Sequence, residues 1–96
     1  PPPRPEAFLE RYANVLNLHI RTSQRATELL SSCFDGGVDQ GKNPIGIVAA
    51  CLYIACTECD ERRTQREIAK ALCITEVTIR NRYKEALEVL KRNANN

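Results

Sequence analysis

Aromatic side chains are scarce in this sequence, which has no Trp, two Phe and three Tyr among its 96 residues. Aromatic residues are enriched in strands, so their shortage argues against an all-β domain. The hydrophobic share of 43% and the charged share of 27% are nevertheless those of an ordinary folded chain. We therefore expect one small domain with a core of Leu, Ile, Val, Ala and Cys, a set that suits closely packed helices.

Long apolar runs are also missing. No stretch reaches the roughly 18 consecutive apolar residues of a membrane span, and no basic and then apolar segment opens the chain as in a signal peptide. We expect no membrane contact and an intracellular location. The five cysteines are odd in number and lie in apolar runs, which predicts reduced thiols packed in the core rather than a disulfide framework.

Groups that carry catalysis or hold metals are few. Cys56-x-x-Cys59 has the spacing of zinc ligands, but the second pair that a tetrahedral site needs is lacking, so packing is the favoured role. His19 is the only histidine and has no Ser, Cys or acidic residue at a useful spacing. With no nucleophile elbow, phosphate loop or paired carboxylate either, the sequence predicts no enzymatic activity, no metal and no cofactor.

The charge is small overall but unevenly distributed. The formal net charge is +2. Residues 1–60 carry five basic and seven acidic side chains, whereas residues 61–96 carry nine basic and five acidic ones. The last third of the chain is therefore the part expected to meet a polyanion.

Helical periodicity covers the first third of the chain. Apolar residues at steps of three and four predict a first helix from Glu6 to near Asn17. A second helix is expected to start near Thr22 or Ser23, either of which can act as its cap, and to stop at Gly36 and the glycine after it.

The remaining two thirds predict three more helices. Asn43 and Pro44 form a strong helix start, and the segment 45–56 is apolar at every position but one, which predicts a buried central helix. Thr64-Gln65-Arg66-Glu67 matches the capping box and begins a short fourth helix. A fifth helix is expected to follow, with Thr75 as its cap. The predicted fold is all-α, with five helices around a buried third.

The fourth and fifth helices have the plan of a helix-turn-helix. The fourth is short, the turn between them has about three or four residues, and the fifth has a polar outer face. Ala69 is small enough for a close helix crossing, Ile74 fills the corner beneath the turn, and Ile79 anchors the fifth helix inward. Many helix pairs of this kind bind no DNA, so this plan alone does not predict DNA binding.

The outer face of the fifth helix carries groups that read bases. With Ile79 pointing inward and about 100° per residue, Val77 lies about 160° away from it. Asn81 and Lys84 lie at about 200° and 140°, and Arg80 lies on the flank at about 100°. An exposed Val77 suits a thymine methyl, Arg80 suits guanine, and Asn81 suits adenine or phosphate. The first two turns are where recognition helices meet base edges.

Two simpler interpretations stay open. Glu76 with Arg80 and Lys84 with Glu88 are opposite charges at i,i+4, the pattern of an ordinary solvated helix face. Lys42, before a helix start, is either a phosphate clamp or an exposed neighbour of a plain cap. The same two alternatives hold for Arg62, Arg63 and Arg66 near the start of the fourth helix. The predicted DNA-backbone contacts are Lys42, Arg63, Arg66, Thr75, Thr78 and Lys84.

Four segments resemble the second cyclin-like repeat of archaeal transcription factor B, and more distantly eukaryotic general transcription factor IIB. They are Gly41-Lys42-Asn43-Pro44, Ala49-Ala50-Cys51-Leu52-Tyr53-Ile54-Ala55, Thr64-Gln65-Arg66-Glu67-Ile68-Ala69 and Thr75-Glu76-Val77-Thr78-Ile79-Arg80-Asn81-Arg82-Tyr83-Lys84-Glu85. The resemblance implies a five-helix cyclin-like fold over 6–91, with the helix-turn-helix in 64–91. Residues 1–5 are then a linker and 92–96 a tail.

The resemblance also implies a function. It implies a general transcription initiation factor domain that binds promoter DNA at the B recognition element, upstream of the TATA box, together with TATA-box-binding protein. Val77 and Arg80 correspond to the family's base contacts, and Asn81 is predicted to join them. The location implied is the cytoplasm of an archaeal cell, or the nucleus of a eukaryote. The alternative function is a cyclin-like adaptor that binds proteins without reading bases.

The chain departs from the family pattern in two respects. Cys73 stands where the family usually has Gly in the turn, so the turn is expected to be either rearranged or mildly strained. The family's zinc ribbon, polymerase-contacting linker and first cyclin-like repeat are absent from the sequence. We expect the chain to be an excised second repeat, for which RNA polymerase is a partner only through those missing parts.

Overall fold

Five α-helices and no strand make up residues 4–95, the part of the chain that the computed structural model describes. The helices are α1 (Pro5–Val15), α2 (Ile20–Asp35), α3 (Ile45–Glu58), α4 (Gln65–Leu72) and α5 (Glu76–Ala94). All four other helices pack against α3. The predicted all-α, five-helix cyclin-like fold with a central third helix is therefore confirmed. Over the same residues, no helix is both long and apolar enough to span a membrane.

The central helix begins where the sequence predicts. The side-chain oxygen of Asn43 accepts a hydrogen bond from the Ile45 N–H at 3.0 Å, and Pro44 already has helical dihedral angles. Side chains from Ile47 to Leu52 are fully buried. Because α3 is apolar on all sides, it is stable only when the other helices cover it, and this requirement sets the architecture.

The second helix begins earlier than predicted. It starts at Ile20, and neither Thr22 nor Ser23 is its cap. Instead, the Glu61 carboxylate, in the connection between α3 and α4, accepts two hydrogen bonds from the His19 N–H, at 3.0 and 3.1 Å. Thr22 is buried behind this contact. The acceptor comes from a residue distant in sequence, so the local pattern did not reveal it.

The cysteines fall into two groups. Cys33, Cys51 and Cys56 are free thiols buried in the core, and burial raises the pKa of Cys56 to about 11. Cys59 is half-buried and Cys73 is exposed, so the prediction of a packed thiol is wrong for Cys73. Within residues 4–95, no three His, Cys, Asp or Glu side chains are grouped to hold a metal ion.

The last helix closes the bundle against the end of α2. Gly36 ends α2 as predicted, and a Cβ at this position would collide with Cγ1 of Val89, which is buried. The α5 helix continues to Ala94, so its last turn lies in the segment 92–96 predicted as a tail. There the Asn93 amide donates a hydrogen bond to the Ser32 carbonyl at 3.0 Å.

Candidate nucleic-acid interface

The turn between α4 and α5 keeps the geometry that glycine usually provides. Cys73 has φ 57° and ψ 42°, in the left-handed region. Its N–H bonds to the Lys70 carbonyl, and the Ile74 N–H bonds to the Ala69 carbonyl at 3.0 Å. These bonds satisfy carbonyls at the end of α4. Of the two possibilities for this turn, the structure therefore shows the strained one, in which Cys73 adopts the left-handed conformation.

Both helices of the pair have the predicted caps. The Thr64 hydroxyl accepts from the Glu67 N–H, and the Glu67 carboxylate accepts from the Thr64 N–H, each at 3.0 Å. The hydrogen bond from the Thr64 backbone is the largest cause of the lowered pKa of Glu67. At the start of α5, the Thr75 hydroxyl accepts from the Thr78 N–H at 3.1 Å. The capping box and the Thr75 cap are thus confirmed.

The outer face of α5 is exposed as the geometry predicts. Val77 is 55% exposed, whereas Ile79 is completely buried. Arg80, Asn81 and Lys84 are also exposed. An apolar β-branched side chain therefore stands in solvent among polar groups, in the first two turns of the helix.

The ion pairs expected on a purely solvated face are not formed. Among residues 4–95, no salt bridge joins Glu76 to Arg80 or Lys84 to Glu88. The only intrahelical ion pair of α5 in this range joins Arg82 to Glu85. The guanidinium of Arg80 and the ammonium of Lys84 are consequently available to a ligand.

A cavity brings several predicted backbone contacts together. It has a volume of about 460 Å³ and lies between the segment preceding α3 and the start of α5. Lys42, Thr75 and Thr78 all line it. The two hydroxyls lie 2.9 Å apart at the amino terminus of α5, where backbone N–H groups and the helix dipole favour an anion. Lys42 and the two threonines, 33 or more positions apart in sequence, thus line one cavity.

Arg63 and Arg66 lie elsewhere, near the start of α4. The Arg63 guanidinium donates to the Leu16 carbonyl and to the Arg62 carbonyl, each at 3.0 Å, and thereby ties the end of α1 to the α3–α4 connection. Arg63 lines a separate cavity of about 230 Å³. Arg66 is exposed. The structure therefore does not bring these two arginines to the cavity that Lys42 lines.

Arg82 is a residue that the sequence reasoning missed. Its side chain is only 12% exposed, and its Nη1 atom donates to Oε2 of Glu85 at 2.5 Å. It also lines the cavity between the segment preceding α3 and the start of α5. The available signal was its spacing: three residues after Ile79, a side chain lies about 60° from the inward direction, on the buried flank of the helix.

Comparison with known proteins assigns the chain to a family. A family profile described as "Transcription factor TFIIB repeat" matches residues 1–89. The chain belongs to the TFIIB repeat family. It is 46% identical over 88 residues to "Transcription initiation factor IIB" of Pyrococcus furiosus, which is 92% of this chain and 29% of that protein. It is 45% identical over 92 residues to "Transcription initiation factor IIB 1" of Thermoplasma volcanium, covering 96% of this chain and 30% of that protein.

The match to Saccharolobus shibatae "Transcription initiation factor IIB" is similar, with 45% identity over 87 residues, 91% of this chain and 28% of that protein. The chain therefore spans less than a third of the length of these relatives. Membership of the TFIIB repeat family confirms the resemblance drawn from the four sequence segments. It agrees with the all-helical fold, while the roles of individual side chains rest on the geometry above.

Proposed function

We propose that this TFIIB repeat is a promoter-DNA-binding domain of a general transcription initiation factor, acting inside the cell and without catalysis. In this proposal α5 reads the B recognition element upstream of the TATA box, and TATA-box-binding protein is bound beside it. The observation that carries the proposal is the exposure of Val77, an apolar residue, beside Arg80 and Asn81 on the outer face of α5. Within residues 4–95, neither Arg80 nor Asn81 is engaged in an ion pair.

Base reading follows from the chemistry of these three side chains. In the major groove, the Arg80 fork donates to O6 and N7 of guanine, and the Val77 methyl groups contact a thymine methyl. Asn81 pairs with adenine or, at a slightly different depth, with a phosphate. Because Ile79 is buried on the opposite side of α5, the helix remains packed while this face enters the groove.

Phosphate binding positions the helix in the groove. Lys42, Thr75 and Thr78 line one cavity at the amino terminus of α5. We infer that together they hold one stretch of the DNA backbone. Lys84 extends this contact along α5. Arg66, at the start of α4, contacts the DNA backbone at a separate point. Arg63 joins them only if its bonds to the Leu16 and Arg62 carbonyls are exchanged for a phosphate.

Affinity must come partly from a partner. A net charge of +2 neutralises only a handful of phosphates, and one helix reads only a few bases. We propose that DNA-bound TATA-box-binding protein supplies the remainder by raising the effective concentration of the second contact. RNA polymerase is proposed as a partner of the longer protein, through the zinc ribbon and linker that the family resemblance implies.

The test is an anisotropy titration of the chain on promoter DNA, with and without TATA-box-binding protein, at several salt concentrations. We expect weak binding alone, stronger binding with the partner, and a log–log salt slope of about −0.9 for each phosphate contact. A duplex with a scrambled upstream element is the control. Nanomolar, element-specific binding by the chain alone at physiological salt would contradict the partner dependence.

A protein-binding adaptor is the second candidate. Val15 is 57% exposed and Ile20 is 72% exposed, on either side of the α1–α2 connection, so apolar surface is available away from α5. An adaptor of this kind binds TATA-box-binding protein without added DNA contacts. The same titration separates the candidates, because an adaptor gives almost no salt slope of its own and the same affinity for the scrambled duplex.

A further inference from the structure

Arg82 joins the buried flank of α5 to the amino-terminal end of α3. Its side chain lies against Gly46: a Cβ built there would be 2.9 Å from Cγ of Arg82, 3.3 Å from Nε and 3.5 Å from Cδ. The stem from Cγ to Nε therefore runs along the α3 backbone, at a position where a Cβ would force that stem to shift. This contact sets how closely the second turn of α5 approaches α3.

The guanidinium of Arg82 is costly at this position. Nη1 is paired with Glu85 of the same helix, but Nη2 is buried and has no hydrogen-bond partner within residues 4–95. A buried unpaired donor lowers the stability of the fold, and an apolar side chain of similar length would avoid that loss. The stability of the core alone therefore does not account for an arginine here.

The place of Arg82 relative to the DNA-reading face suggests what it does. It lies one turn after Thr78 and lines the same cavity as Lys42 and Thr78. Val77 and Arg80 project from the same two turns of α5 on the opposite side. A shift or rotation of α5 at Gly46 would therefore change the spacing between Lys42 and the two base-reading side chains.

We propose that Arg82 is a positioning residue, which fixes the rotation and distance of the first two turns of α5 relative to the start of α3. It thereby lets Lys42 meet phosphate while Val77 and Arg80 meet base edges in one register. This inference rests on the proposed DNA-reading function. In this role Arg82 itself contacts neither a base nor a phosphate.

A second contact keeps α5 attached when Arg82 is changed. The rings of Tyr53 on α3 and Tyr83 on α5 meet edge to face, with centroids 5.1 Å apart. Ile79 is also fully buried. Loss of the Arg82 contact is therefore expected to loosen the orientation of α5 rather than unfold the domain.

The test compares Arg82→Met, which keeps the stem and removes the fork, with Gly46→Ala, which places a methyl group under that stem. Arg92→Met is the matched control, because Arg92 is an exposed arginine near the end of α5. For each variant, the NMR chemical shifts of the Val77 methyl groups are measured without DNA. Each is then titrated, with TATA-box-binding protein present, on the preferred element and on a duplex with one base pair exchanged.

We expect Arg82→Met and Gly46→Ala to shift the Val77 methyl resonances and to lower discrimination between the two duplexes about tenfold, the range of one lost base contact. The salt slope stays unchanged, and the two substitutions are not additive in the double variant because they disturb one contact. Arg92→Met changes neither the resonances nor the discrimination. If Arg82→Met does not fold, Gly46→Ala alone decides the question.

Three results would overturn the proposal. A salt slope reduced by the amount that one phosphate contact contributes would show that Arg82 binds the DNA backbone directly. Equal loss of affinity on both duplexes would mean that base register does not depend on it. Unchanged Val77 resonances would show that α5 does not move. If the wild-type chain does not discriminate the duplexes, the proposed function fails, and shifted resonances would still support the structural role of Arg82.

Discussion

Cys73 forms the turn between α4 and α5 in a backbone conformation that is unfavourable for a residue with a side chain. With φ 57°, it occupies a backbone region in which a side chain costs roughly 1–2 kcal/mol, and in which glycine is unstrained. The turn nevertheless closes, because the hydrogen bonds from the Cys73 and Ile74 N–H groups satisfy the end of α4. The comparison with the family pattern raised the question of strain, but the sequence alone could not decide between strain and rearrangement.

We predict that Cys73→Gly raises the free energy of unfolding by about 0.5–1 kcal/mol, the steric cost less the extra entropy of glycine in the unfolded chain. Urea denaturation measures the change. Cys73→Ala is the control, since it keeps the unfavourable conformation and should give no such gain. A loss of stability in Cys73→Gly would mean that the thiol side chain contributes favourable contacts.

In the proposed function, Arg80 is the side chain that contributes most to base discrimination. We predict that Arg80→Ala weakens binding to the preferred element by about 1–3 kcal/mol and removes discrimination at one base pair. Titration on a set of single-base variants, with TATA-box-binding protein present, measures both quantities. Equal loss on every sequence would make Arg80 a phosphate contact, and no loss would leave it a solvated surface residue.

At the scale of elements, helix starts were predictable where the cap is local and not where it is distant. The Thr64–Glu67 capping box and the Thr75 cap lie within three residues of the groups that they satisfy. The N-cap residue of α2 is His19, and its N–H donates to Glu61, 42 positions away, a contact that only the folded chain brings together. Arg82 was missed for a related reason, since its significance depends on Gly46 of another helix.

The contact between the Glu61 carboxylate and the His19 N–H makes stability depend on pH. Burial, the largest single influence, raises the pKa of Glu61, but the neighbouring Thr22 side chain, the hydrogen bond from the His19 N–H and the nearby charge of Arg63 together outweigh it, so the pKa lies below its usual value. A carboxyl group with a lowered pKa stabilises the fold when ionised, above its unfolded pKa of about 4.3. That contribution is lost as the pH falls through the folded pKa.

We predict that Glu61→Gln lowers the free energy of unfolding at neutral pH by about 1 kcal/mol, and that the difference from wild type shrinks as the pH falls below about 4. Urea denaturation at a series of pH values measures it. Glu88→Gln, at an exposed position of α5, is the control. A difference that is constant with pH would show that the charge of Glu61 does not stabilise α2.

The close approach of α2 and α5 gives a second prediction at this scale. A Cβ at Gly36 would meet Cγ1 of Val89 and lie 3.1 Å from the Ser32 carbonyl oxygen, which is backbone and cannot easily yield. We predict that Gly36→Ala lowers the free energy of unfolding by about 1–3 kcal/mol, as overpacking does. Gly41→Ala, at an exposed loop position, is the control. An unchanged midpoint of denaturation would contradict this packing.

At the scale of the whole molecule, the fold was predictable because one segment dominates it. The apolar run 45–56 requires cover on every side, and four amphipathic helices are available to supply it. The exposed face of α5 was predictable from the same periodicity. The cavity shared by Lys42 and Thr78 was not, because it depends on how the segment before α3 meets α5 in space.

The claim that this TFIIB repeat reads promoter DNA through α5 is tested most directly by hydroxyl-radical footprinting on a promoter duplex. The chain is added to DNA that already carries TATA-box-binding protein. We predict new protection next to the TATA box on its upstream side, lost in Arg80→Ala and absent when the partner is left out. Binding of the chain to the complex without any added protection of the upstream DNA would contradict the claim and indicate an adaptor instead.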